Sequence, residues 1–148
     1  MFESALYNKL RSDTALLSYL NTFGGVPAIF SEYAPEGATM PYLVFRISRS
    51  ADLSPAVQKF SIFIDYYDNS SSASNSRKAA ERIEFILDRV ELSHERYSNI
   101  RIFFFGGSPL EETDPRIKRY NLQFMARAGR KKWIDQLNDV TTTTTSGS

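Results

Sequence analysis

The chain has 148 residues, and its eighteen Lys and Arg against seventeen Asp and Glu leave a net charge of +1. That balance excludes a protein that holds nucleic acid by bulk charge alone, and it excludes a polybasic membrane-binding surface. Cysteine is absent, which removes disulfides, thiolate metal sites and a cysteine nucleophile. The length suits one domain, and a hydrophobic fraction of 42% is enough to build a core. No apolar run reaches the roughly 18 residues of a membrane span, and residues 1–10 lack the basic end and apolar centre of a signal peptide.

Phe2, Leu6 and Leu10 recur at i, i+4 and i+8 and predict a helix over residues 2–11. Ser12 and Asp13 can cap a second short turn carrying Leu16, Leu17 and Leu20, and Gly24, Gly25 and Pro27 close that unit. Residues 28–33 are a short strand candidate. Pro35-Glu36-Gly37 then reverses the chain, because proline fixes φ and glycine tolerates positive φ. Pro41 has no N–H to give a ladder, so it belongs at the mouth of a strand. Beyond it, Leu43, Phe45 and Ile47 point one way and Tyr42, Val44, Arg46 and Ser48 the other.

Residues 50–56, with Asp52, Ser54 and Pro55, read as a loop. Residues 57–67 give the longest alternation, with Phe60, Ile62, Ile64 and Tyr66 opposite Lys59, Ser61, Phe63, Asp65 and Tyr67. The polar stretch 68–75 leads into a helix near Ser76, where Ala79, Ile83, Ile86, Leu87 and Val90 form an apolar stripe. Burying the four large residues of that stripe contributes at most roughly 6–12 kcal/mol. Residues 93–99 connect to a strand over 99–105 that is apolar on both faces. Gly106-Gly107-Ser108-Pro109 and the acidic run from Glu111 to Pro115 read as one extended turn. A last strand over 116–128 sets Tyr120, Leu122, Phe124 and Ala126 against Arg119, Asn121, Gln123, Met125 and Arg127.

This order predicts an α+β domain over residues 1–128. Its core is a single antiparallel or mixed sheet of four to five strands, with an N-terminal helix and one long helix packed on one face. Residues 129–148 contain Arg130, Lys131, Lys132 and Trp133 and then a threonine run, and predict a flexible basic tail.

No constellation of residues predicts chemistry. His94 is the only histidine, and it sits in a connection. Glu111, Glu112 and Asp114 lack the spacing of a calcium loop, and Asp52, Asp65 and Asp68 are scattered. Gly106-Gly107-Ser108 follows a strand, as phosphate loops do, but neither Lys-Ser/Thr nor a helix comes next. No catalytic, cofactor or metal residue is predicted, and no enzyme. More informative are Phe63, Tyr67, Phe103, Phe105 and Met125, on strand faces opposite the helix-covered side. With helices on one side only, they form an exposed aromatic patch suited to a subunit interface. Two alternatives stay open: a loop covers them, or they stack RNA bases, although the expected RNA-binding consensus is absent.

Several pieces resemble a family. They are Ser12-Asp13-Thr14-Ala15-Leu16, Ile29-Phe30, Ala34-Pro35-Glu36-Gly37 and Pro41-Tyr42-Leu43-Val44-Phe45. The strand over 57–67 before its helix, and the acidic turn leading into Arg119-Tyr120-Asn121-Leu122-Gln123-Phe124, add to them. Over residues 1–128 the chain resembles the small tail-terminator or tail-completion proteins of long-tailed bacteriophages. The resemblance implies a structural virion protein at the head-proximal end of the tail, assembled in the host cytoplasm. It implies a homo-oligomeric ring, commonly a hexamer, that caps the tail tube and meets the head connector. Genome DNA would pass through such a ring without specific binding, and neither a cofactor nor a membrane is implied. A neck or head-completion adaptor is the neighbouring alternative, and a nucleic-acid-binding module a more distant one. On this resemblance, Asp52, Ser54, Glu111 and Glu112 in the loops, and Arg130, Lys131, Lys132 and Trp133 in the tail, are candidate contacts with tube or connector.

Overall fold

The computed structural model describes residues 1–131 of the chain. Helices α1 (Glu3–Arg11) and α2 (Thr14–Leu17) come first, followed by β1 (Thr22–Phe23), β2 (Val26–Pro27), β3 (Ile29–Ser31), β4 (Tyr42–Asp52) and β5 (Val57–Asp68). Helix α3 (Ser74–Leu87) then leads to β6 (Glu91–Leu92), β7 (Tyr97–Leu110) and β8 (Lys118–Arg130). Six strands form one mixed sheet in the order β3-β4-β5-β8-β7-β6, and β1 and β2 make a separate two-stranded ribbon. Only β3 and β4 run parallel; the other neighbours in the large sheet are antiparallel.

This corrects the predicted architecture of a single four-to-five-stranded sheet with one long helix. Strand is the dominant element, and the 14 residues of α3 are matched by the 14 of β7. Three local causes explain the difference. First, Gly24 and Gly25 both take positive φ, so the segment expected to end a helical unit turns back as the β1–β2 ribbon. Second, Asp88 is extended and Arg89 has φ of +61°, which ends α3 at Leu87 and sends residues 91–92 to the sheet edge as β6. Third, Gly106 to Pro109 stay paired with Gln123 to Tyr120, so β7 continues through the expected turn. A register shift between Phe104 and Gly106 absorbs the irregularity as a bulge.

Other local signals read as expected. Ala38 N–H donates to the Pro35 carbonyl and Gly37 takes φ of +88°, closing the turn ahead of β4. Asp13 caps α2 by accepting from Leu16 N–H at 2.8 Å.

The core lies between the helices and one face of the sheet. Leu43, Phe45 and Ile47 of β4, Phe60, Ile62 and Ile64 of β5, Ile100 and Ile102 of β7, and Leu122, Phe124 and Ala126 of β8 are all buried there. Phe2, Leu6 and Leu10 of the α1 unit and Ile83, Ile86 and Leu87 of α3 close over them. Tyr66 ends its row by donating from its hydroxyl to the Tyr19 carbonyl at 2.7 Å, and burial pushes its phenol well above the usual tyrosine range. Among the described residues no helix is long and apolar enough to cross a membrane.

Candidate functional site

Among the described residues no helix covers the opposite face of the sheet. Strand register lines its side chains up in rows across β4, β5, β8 and β7. Tyr42, Tyr67 and Arg119 make one row, with Leu110 at its end; Arg46, Phe63 and Gln123 make another. Ser48, Ser61, Met125 and Phe103 make a third, and Lys59, Arg127 and Arg101 a fourth. Alternation along each strand and pairing between strands together build this surface.

The five residues expected at an interface do share this side, but not one environment. Phe103 is 41% and Phe105 64% exposed, the latter because it falls in the bulge of β7. Met125 is half-buried beside Phe103. Phe63 and Tyr67 are half-buried under arginines. The Arg46 guanidinium lies 4.9 Å from the Phe63 ring centroid, and that of Arg119 lies 5.5 Å from the Tyr67 ring. Arg119 donates to Asp65 at 3.1 Å and to Glu112 at 3.2 Å, and Asn121 donates to the same Asp65 oxygen at 2.9 Å. The hydrogen bond to Asp65 strengthens the hold of Arg119 on its proton, while burial raises the Tyr67 phenol above its ordinary value.

The predicted partner-contact residues scatter. Ser54 is exposed in the turn between β4 and β5, where its hydroxyl accepts from Val57 N–H at 3.1 Å. Asp52 pairs through its backbone with Gln58 beyond an irregularity in the β4–β5 ladder. Glu111 is exposed between β7 and β8, whereas Glu112 is tied back to Arg119. Asp114 in the same turn binds Arg116, whose guanidinium holds the carboxyl below its usual range. Arg130 donates to the side-chain amide oxygen of buried Gln58, and Lys131 N–H donates to the Arg96 carbonyl. Lys132 and Trp133 lie outside the described residues. Among the described residues, no three His, Asp or Glu side chains are grouped to hold a metal ion.

Sequence reasoning missed the arginine covers and the cationic row. Period-two alternation already puts Lys59 on the face of Phe63, and Arg127 on that of Met125. That Lys59, Arg127 and Arg101 stand side by side depends on the β5–β8–β7 register, which no local signal carries. It also missed Phe85, which is 73% exposed on the solvent side of α3 with Arg82 4.8 Å from its ring centroid.

The sheet is clad by helices on one face, and on the other it carries exposed phenylalanines on β7 and charged side chains across β4, β5 and β8. The chain belongs to the tail completion protein gp17 family, whose model matches residues 4–129. It is therefore a structural, virion-associated tail-completion protein of the bacteriophage type. Among solved structures, one described as the virion of a native gene transfer agent particle is 19% identical, with a TM-score of 0.71 over 86% of this chain and 94% of that one. A second is 8% identical, with a TM-score of 0.61 over 86% of this chain and 92% of that one. These two likenesses speak to the fold. No curated protein sequence matches the chain.

Proposed function

We propose that the protein completes the tail as a homo-oligomeric ring of six copies, which caps the tail tube at its head-proximal end and joins it to the head connector. The observation that carries this reading is the bare sheet face, with Phe103 and Phe105 exposed and Met125, Phe63 and Tyr67 half-buried beside them. Monomers seldom leave such aromatic surface to water, and interface centres are rich in aromatic residues and methionine. A ring needs a heterologous contact, in which this face meets a different surface of the next copy. The turns holding Ser54 and Glu111 are exposed and are assigned to the tube and the connector. Genome DNA passes through the opening, and the ring works without a cofactor.

The test is a mass measurement. Light scattering of the 16.9 kDa chain, alone and with tail-tube protein, should give several times the monomer mass. Replacing Phe103 and Phe105 together by Asp should abolish that mass while the melting temperature of the subunit holds. A wild-type monomer at high concentration in both conditions would overturn the proposal.

A further inference from the structure

The proposed ring leaves open which part of the next copy meets the bare sheet face. Phe103 and Phe105 stand exposed there, with Met125 half-buried beside them. The charges bordering this patch are Lys59, Arg127 and Arg101, with Glu91 3.9 Å from the last, and Arg46 over Phe63. The centre of the patch is apolar, so what seats on it must itself present apolar side chains.

The sequence that follows β8 supplies such an occupant. Strand β8 ends at Arg130, and residues 132–148 continue beyond it. Among them Trp133, Ile134, Leu137 and Val140 recur at i, i+1, i+4 and i+7, the spacing of one helix face. Asp135, Gln136 and Asp139 fall on the other side of that pattern. The charges of Lys131, Lys132, Asp135 and Asp139 cancel, so the attraction this stripe offers is apolar.

Reach gives the stripe to a second copy. Arg130 N–H donates to the Ala56 carbonyl and Lys131 N–H to the Arg96 carbonyl, so the backbone keeps its course along the sheet through residue 131. Phe105 sits in the bulge next to Gly106, which lies opposite Gln123, seven residues back from Arg130 and roughly 24 Å away. A helix over residues 132–140 is about 14 Å long. Folded straight back on its own subunit, it ends short of Phe105 and lays its stripe over Lys59, Arg127 and Arg101. The segment of a neighbouring copy is under no such constraint.

We infer that residues 132–140 of one subunit dock as an amphipathic helix on the bare sheet face of the next, with Trp133 and Leu137 against Phe103 and Phe105. Burial of these anchors supplies the attraction. The contact joins two different surfaces, so it is heterologous and repeats from copy to copy until rotation closes it. This inference rests on the ring reading and names its second surface.

The experiment uses two full-length variants under the conditions that assemble the wild type. The segment variant carries Trp133→Asp and Leu137→Asp; the face variant carries Phe103→Asp and Phe105→Asp. Each alone should fail to assemble by analytical ultracentrifugation, while circular dichroism melts of dilute samples match the wild type. Mixed in equal amounts, they hold one intact pair of surfaces between them: the segment of the face variant and the face of the segment variant. A heterodimer of twice the 16.9 kDa chain mass should form and grow no further. On the same stripe, Ile134→Ala alone should weaken assembly about tenfold, while Gln136→Ala on the polar side leaves it unchanged. A segment variant that assembles as the wild type does would overturn the contact and leave the ring reading standing. The contact also fails if the mixed variants stay monomeric, or if the dilute segment variant melts early because its segment packs on its own subunit. A wild type that stays monomeric, with and without tail-tube protein, would overturn both readings.

Discussion

On β8, Phe124 and Met125 are neighbours in sequence and strangers in environment. Phe124 is sealed between the sheet and the helices, with its ring centroid 5.4 Å from that of Phe104. Met125 points to the other side, half-buried next to Phe103. The same division runs along β5, where Gln58, Phe60, Ile62, Ile64 and Tyr66 are buried and the residues between them are not. The helix-clad face is closed mainly by apolar contact, with the Tyr66 hydroxyl tied to the Tyr19 carbonyl at its end. The bare face covers part of its aromatic surface with guanidinium groups and leaves the rest open. Aromatic content therefore does not separate the clad face from the bare one; what lies above each ring does.

Truncation along β8 breaks or upholds this division most directly. Phe124→Ala should cost about 3–5 kcal/mol of unfolding free energy, by removing buried area and leaving a cavity. Met125→Ala should cost less than about 1 kcal/mol in the isolated subunit, as surface substitutions do. Urea denaturation of both variants below the assembly concentration reads the difference. Equal losses would mean that the second face is also core.

The clad face depends on helices being held to it, and Asp13 joins two of them. Its carboxylate accepts from Leu16 N–H at the start of α2, from Arg82 Nε at 3.0 Å and from Arg82 Nη2 at 2.6 Å. The hydrogen bond from Arg82 holds the carboxyl below its ordinary pKa. A lowered folded-state pKa gives stability that is complete above the unfolded carboxylate value of about 4 and is lost as pH falls through the folded value. Asp13→Ala should cost about 1–2 kcal/mol, since it removes a cap and an ion pair that water partly screens. Asp13→Asn should keep most of the cap but lose the acid-dependent part. Stability measured from pH 6 down to 2.5 should therefore fall less steeply for the Asn variant than for wild type, and parallel curves would refute the role of the pair.

What could be read from the sequence divides along physical lines. Local chemistry was legible: the Asp13 cap, the turn at Gly37, the stripe of α3 and the alternation of β5 each depend on neighbours within a few residues. The family was legible too, through residues that resemble it. Long-range pairing was not. Leu92 falls in no predicted element until Ile100 is known to sit opposite it, and Gly106-Gly107-Ser108-Pro109 reads as a turn until Gln123 to Tyr120 pair with it. The covers on Phe63 and Tyr67 come from the neighbouring β4 and β8, so parity places these rings on the bare face but cannot say that arginines lie over them.

Gly106 and Gly107 carry the comparison of the two faces to the far end of β7, with the smallest expected effect. Gly106 sits opposite Gln123, on the bare side, and a Cβ added there meets nothing within 4 Å. Gly107 sits opposite Leu122, on the clad side, and a Cβ added there lies 3.2 Å from the Asn121 carbonyl oxygen and 3.2 Å from Leu122 Cδ2. Neither glycine has positive φ, so alanine is strained by contact alone and not by backbone conformation. The leucine methyl can rotate away, but the carbonyl belongs to the ladder and cannot. Gly107→Ala should therefore cost about 1 kcal/mol. Gly106→Ala should be neutral or stabilising by up to about 1 kcal/mol, because the unfolded chain loses freedom that the strand does not use. Thermal melts of the pair at low concentration decide it. If both alanines are tolerated alike, β7 and β8 approach less closely at Gly107 than these distances require, and the segment reverts to the loose turn that its composition suggests.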